Sequence, residues 1–104
     1  MTIENNLKKL NIELPKAPDP VGSYVAVAVA GDLIFISGQV SFNKDGKLIK
    51  GKIGKELNIE QGQEAAKYCA LNLLAQLKKA CNGNLDKVKS CIKITGYVNS
   101  IDTF

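Results

Sequence analysis

From Tyr24 onward the chain alternates apolar side chains with a period of two. Val25, Val27 and Val29 fall on one face, and Tyr24, Ala26, Ala28 and Ala30 on the other, as a strand requires. Gly31-Asp32 follows, a two-residue hairpin signal in which glycine supplies the positive φ of a type I′ or II′ turn. The unbroken run Leu33-Ile34-Phe35-Ile36-Ser37 predicts a second strand buried on both faces. Asn43-Lys44-Asp45-Gly46 reads as another turn, and Leu48-Ile49 as a short third strand before Gly51 and Gly54.

The period then becomes helical. Asn58 is a good N-cap, and Gln61 three residues later completes a variant capping box. Gly62, Ala66, Cys69, Ala70, Leu73, Leu77 and Ala80 form the expected inner face. Glu60 and Glu64 lie in the early turns and Lys78 and Lys79 in the last, which suits the helix dipole. Gly83, between Asn82 and Asn84, is expected to end the helix in a left-handed conformation.

Alternation returns over roughly 88–98. Val88, Ser90, Ile92, Ile94, Gly96 and Val98 share one face, and Lys89, Cys91, Lys93, Thr95 and Tyr97 the other, which predicts a long strand. Residues 99–104 read as a turn toward a further helix, with Ser100 or Asp102 as its cap. At the other end, Ile3, Leu7 and Leu10 suit a short amphipathic helix, and Pro15, Pro18 and Pro20 enforce an extended arm. The expected division is an N-terminal arm over 1–23 and a domain over 24–104. The order of elements predicts an α+β fold, a mixed sheet backed by a helix on one face. The other face carries apolar side chains with nothing in these residues to bury them, so self-association or a further segment is expected.

At 104 residues the chain has room for one domain. With 45% hydrophobic and 23% charged residues it has ordinary globular composition. Its first ten residues lack the apolar core of a signal peptide or anchor, so a cytoplasmic protein without membrane association is expected. The zeros change the chemistry most. There is no His, which removes imidazole catalysis and most zinc sites; no metal is expected. All 14 basic residues are Lys, so no guanidinium fork is present to grip a carboxylate. The net charge of +4 raises nucleic acid as a partner. The lysines are scattered, however, and the densest group (Lys44, Lys47, Lys50, Lys52, Lys55) reads as a solvated surface. Cys69, Cys81 and Cys91 contain no C-x-x-C pair and read as reduced core thiols.

Three words, in order and at matching spacing, resemble the RidA/YjgF family. Ala17-Pro18-Asp19-Pro20-Val21-Gly22-Ser23-Tyr24 is similar to its A-P-x-x-[IV]-G-x-Y opening. Phe35-Ile36-Ser37-Gly38-Gln39-Val40 resembles its second-strand signature, and Lys93-Ile94-Thr95-Gly96-Tyr97-Val98-Asn99 with Asp102-Thr103-Phe104 its fourth-strand segment. The N-terminal extension and the word GQEAA are closest to the longer, YjgF-like subgroup. The resemblance covers essentially the whole chain. It implies a subunit fold like bacillus chorismate mutase, a homotrimer with clefts between subunits, and hydrolysis of reactive enamines or imines of amino acids to 2-keto acids and ammonia. No cofactor is implied, and the partner is a small carboxylate metabolite.

Carried over residue by residue, Tyr24 matches a tyrosine that lines the substrate, Ser37 a serine at the cleft, and Gly38 a glycine that lets ligand approach the backbone. The plain alternatives are a sheet-end aromatic and a strand-end turn; Gln39 reads as structural. The family's carboxylate-gripping arginine and its water-positioning glutamate fall beyond residue 104, so no catalytic residue is assigned here. By this comparison the chain lacks the family's C-terminal third. Two further readings stand beside imine hydrolysis: a non-catalytic small-molecule-binding or regulatory protein on the same fold, and an RNA-acting protein of the endoribonuclease or translation-inhibitor kind. The last is the weakest, because His, Arg and an aromatic stacking array are all missing.

Overall fold

The computed structural model describes residues 2–19 and 22–104. Pro20 and Val21, part of the opening word above, lie outside the described residues. The order is helix α1 (Ile3–Lys9), strands β1 (Val27–Ala30) and β2 (Leu33–Ile36), helix α2 (Ile59–Ala80), and a single 3-10 turn at Leu85–Lys87.

β1 and β2 form an antiparallel hairpin with Val27 opposite Ile36 and Ala30 opposite Leu33. Gly31 takes φ 59°, and Asp32 is not among the residues with positive φ. A positive φ at the first loop position alone is the type II′ pattern. The expected third strand shrinks to one antiparallel bridge between Phe42 and Leu48. The turn before Leu48 is held by Asn43, whose Oδ1 accepts from the N–H groups of Asp45 and Lys47, each at 2.9 Å.

Helix α2 starts as its sequence predicts. The Asn58 side chain accepts from the Gln61 N–H at 2.8 Å, and the Gln61 side chain accepts from the Asn58 N–H at 2.9 Å. At its C-terminus Gly83 is left-handed, as expected, and the residue before it is left-handed as well. Asn82, at φ 53°, is the first left-handed residue, followed by Gly83 at φ 88°. Gly83 N–H donates to Lys78 O at 2.8 Å and Asn82 N–H to Lys79 O at 3.2 Å. That paired return is the Schellman motif, with Cys81 as the cap.

The buried side of α2 is also rotated from the expected one. Asn72, Ala75 and Gln76 are buried, whereas Ala66 and Ala70 are exposed. Asn72 Nδ2 donates to both Val40 O and Phe42 O at 3.1 Å, and Gln76 Nε2 donates to Pro18 O at 2.6 Å. Loop carbonyls that would otherwise be buried without donors find them on the helix. Hydrophobic periodicity does not register such amide clamps.

α2 packs against the hairpin. Ile34 and Ile36 are half-buried, while Leu33 and Phe35, which alternate with them, are exposed. The expectation that β2 is buried on both faces is therefore corrected: one face is covered by the helix and the other is open. The smaller cluster lies at the far end of α2. α1 is capped by the Thr2 side chain and buries Leu7, and it packs on the 3-10 turn, where Leu85 is 1% exposed. Ile3 N–H donates to Asp86 Oδ1 at 2.8 Å, and Lys78 Nζ meets Glu4 Oε1 at 3.0 Å.

Residues 88–98 do not form the expected strand. Ile92, Ile94 and Tyr97 are 77%, 75% and 93% exposed, and among the described residues no backbone hydrogen bond involves positions 89–98. Alternation makes a strand-like surface, but a strand also needs a neighbouring edge. Just past this stretch the chain returns to the fold. Ile53 and Ser100 form a parallel bridge, with Ile53 N–H donating to Asn99 O at 2.9 Å and Ile101 N–H to Ile53 O at 3.0 Å.

The accessible surface is 8082 Å², against about 5,700 Å² for a compact monomer of 11.2 kDa. The radius of gyration is 14.8 Å, against about 13 Å for a compact chain of this length. Both excesses have the same origin, an uncovered sheet face and an unpaired apolar stretch.

Candidate functional site

The three residues singled out from the sequence meet in one hollow. β2 ends at Ile36, and the chain turns away from the hairpin through Ser37, Gly38 and Gln39. The approach to β1, residues 22–26, runs alongside. Tyr24, Ser37 and Gly38 line a hollow of about 40 Å³, together with Pro18 and Asp19 of the arm, Ala26, Gln39, Val40, Phe42, and Gln76 of α2. Arm, hairpin and helix thus each contribute a wall.

Ser37 is held by two bonds to one carbonyl. Its N–H donates to Ala26 O at 2.9 Å, and its hydroxyl donates to the same oxygen at 3.2 Å. The hydroxyl proton is thereby committed to the fold, and the lone pairs remain to accept. Gln39 Nε2 donates to Ser37 O at 3.1 Å, in keeping with its structural reading. No heavy atom lies within 4 Å of where a Gly38 Cβ would stand, so that stretch of backbone is open to close approach. Tyr24 is about half exposed at the rim.

Sequence reasoning missed Gln76, which is 2% exposed and joins arm to helix, and it gave Asp19 no role. Two amides one turn apart, Asn72 and Gln76, within the otherwise apolar stretch 69–77 of α2 are the signal that points to the first. Among the described residues Asp19 is the one carboxylate on the hollow, and no lysine lines it. The lysines at 44, 47, 50, 52 and 55 are all exposed, as expected, and Lys55 pairs with Glu56 at 3.7 Å. The cysteines divide. Cys81 is buried, Cys69 is half-buried and Cys91 is exposed, so Cys91 is not the core thiol expected. Burial pushes the Cys69 thiol above its ordinary range. Among the described residues no helix is long and apolar enough to cross a membrane.

Residues 4–103 match the model of the family described as "YjgF/chorismate mutase-like, putative endoribonuclease". The chain belongs to this family. Relatives include protein TCP17 of Trypanosoma cruzi, 38% identical over 95% of this chain and 61% of its own length. A RutC family protein of Aquifex aeolicus is 46% identical over 89% of this chain and 64% of its own. The chain thus spans about three fifths of the length of the curated relatives it matches. Among solved structures, a Shewanella oneidensis protein that shares the endoribonuclease description is 33% identical, with a TM-score of 0.76 over 83% of this chain and 56% of its own. An Agrobacterium tumefaciens protein of unknown function is 38% identical, with a TM-score of 0.66 over 81% of this chain and 49% of its own. The chain therefore has the YjgF-like α+β fold.

Proposed function

We propose that this chain supplies one wall of the substrate cleft in a RidA-like hydrolase of reactive 2-imino acids. The observation that carries the reading is the meeting of Tyr24 with Ser37 and Gly38 in one hollow, although they come from two separate words of the sequence. In the proposed reaction water adds to the imine carbon, the C–N bond breaks, and the products are a 2-keto acid and ammonia. Tyr24 would line the substrate, and the open backbone at Gly38 would offer its N–H to the substrate carboxylate.

Size supports a shared cleft. A hollow of about 40 Å³ is far below the roughly 300–1,000 Å³ of pockets that enclose a small molecule. The remaining walls would come from a neighbouring copy in a trimer, which would also cover part of the excess surface. The grip on the carboxylate would come from an arginine, and this chain contains none. Loss of one charged contact in a water-poor cleft costs on the order of 3 kcal/mol in the transition state, about a hundredfold in rate.

The test is ammonia release from 2-iminobutanoate, measured by a coupled assay on the 104-residue chain and on a form extended with the family's C-terminal segment. The extended form is expected to turn over and the short chain not appreciably. In the extended form Tyr24→Ala should lower the rate. Robust turnover by the short chain overturns the role given to the arginine. Binding without ammonia release in both forms favours the non-catalytic reading, which the commitment of the Ser37 hydroxyl to Ala26 O supports.

A further inference from the structure

Gln76 is 2% exposed, yet only half of its amide is accounted for. The group 2.6 Å from Pro18 O must be the donating Nε2, because a carbonyl oxygen can only accept. That fixes Oε1 on the other side. No hydrogen bond reaches Oε1 from the described residues. Nor is Oε1 sealed: among the described residues Glu4 Oε1, which Lys78 Nζ approaches, is the buried side-chain atom without a hydrogen-bond partner. Gln76 lines the hollow, so its acceptor opens there.

An acceptor that no protein donor reaches, and that is not sealed, is paired by water or by the N–H or O–H of a ligand that displaces the water. Three of the other side chains on the hollow, Asp19, Ser37 and Gln39, present acceptors, the Gln39 Nε2 being spent on Ser37 O. The Asp19 carboxylate is an acceptor, the Ser37 oxygen has spent its proton on Ala26 O, and no lysine contributes. We propose that Gln76 is a ligand-binding residue, and that its Oε1 accepts a hydrogen bond from the nitrogen end of a small imine- or amine-bearing ligand. This rests on the reading of the hollow as part of a substrate cleft and deepens it by orienting the ligand. The hollow has room for a few heavy atoms only. It holds the N–H end beside Gln76, and the carboxylate lies toward the open backbone at Gly38.

The experiment uses the unaltered chain, labelled with 15N, and two probes that differ in one group: 2-aminobutanoate, which carries N–H donors, and 2-oxobutanoate, which does not. The Gln76 side-chain NH2 resonances should move during titration with 2-aminobutanoate and stay in place with 2-oxobutanoate. Gln76→Met keeps the volume but removes both the acceptor and the donor to Pro18 O; affinity for 2-aminobutanoate should fall about tenfold, the loss of one hydrogen bond to the ligand, and 2-oxobutanoate reports any effect of the lost Pro18 bond alone. Affinity for 2-oxobutanoate should stay within about twofold. If Gln76→Met does not fold, the titration of the unaltered chain decides alone. Movement of the Gln76 signals with both probes or with neither overturns the proposal. The assay of ammonia release is independent: a chain that never hydrolyses imines but shifts Gln76 with the amine alone loses the hydrolase reading and keeps this one.

Discussion

The hairpin over Val27–Ile36 and the stretch over 88–98 share β-branched alternation and differ in what lies beside them. The hairpin finds its partner across two residues, Gly31 and Asp32, and α2 covers one of its faces. From residue 89 onward the later stretch has no backbone partner among the described residues, and its large side chains stand in solvent. A local turn makes pairing cheap, whereas a distant edge must be brought up against chain entropy. A period-two pattern thus reports the surface a strand would present and says nothing about the edge that would receive it.

Thiol labelling should expose the contrast most sharply. Cys91 lies in the open stretch, and Cys81 is buried at the end of α2. Alkylation of Cys91 should exceed that of Cys81 by more than about a hundredfold, because Cys81 reacts only after local opening. At pH 8 Cys69 should also lag behind Cys91, since its raised pKa leaves less thiolate. Equal rates at Cys81 and Cys91, followed by mass spectrometry, would erase the distinction between the two regions.

Truncations come next. Leu85→Ala, at a 1% exposed site, should cost about 2–4 kcal/mol in urea unfolding. Ile92→Ala should stay within about 0.5 kcal/mol in dilute solution. A cost at Ile92 that grows with protein concentration would show that association covers the stretch. In the turn, Gly31→Val should cost about 1–2 kcal/mol, because a β-branched residue is strained at φ 59°. Space is open around that glycine, so the loss comes from the backbone, and an unchanged melting temperature would remove the type II′ assignment. Asn58→Ala should cost about 1 kcal/mol through loss of the helix cap, again by urea unfolding.

What was legible in the sequence was local. The Asn58–Gln61 box, the positive φ at Gly31 and the Asn43–Gly46 turn depend on residues a few positions apart, where backbone chemistry decides. The meeting of Tyr24, Ser37 and Gly38 was legible through matched words rather than through pattern. Hidden were the contacts that join distant segments. The rotation of α2 follows from Asn72 and Gln76 reaching carbonyls at Val40, Phe42 and Pro18, and a hydrophobic period treats both residues as surface. Gly83 is left-handed as expected, and Asn82 before it is left-handed too, because asparagine tolerates that conformation and the helix ends at Cys81.

The parallel bridge between Ile53 and Ser100 sets an order of assembly. Parallel neighbours need a crossover between them, and α2 is that crossover. Closing a flexible loop of about 47 residues costs roughly 3.4 kcal/mol before any further term, more than two backbone hydrogen bonds return. A preformed α2 shortens the flexible path, so the capped helix should be built first and the bridge should close over it. The same asymmetry runs in reverse during native fluctuations. The Ile53 and Ile101 amides should exchange with solvent deuterium ahead of those in the middle of α2, the clasp opening while the rod it spans stays intact.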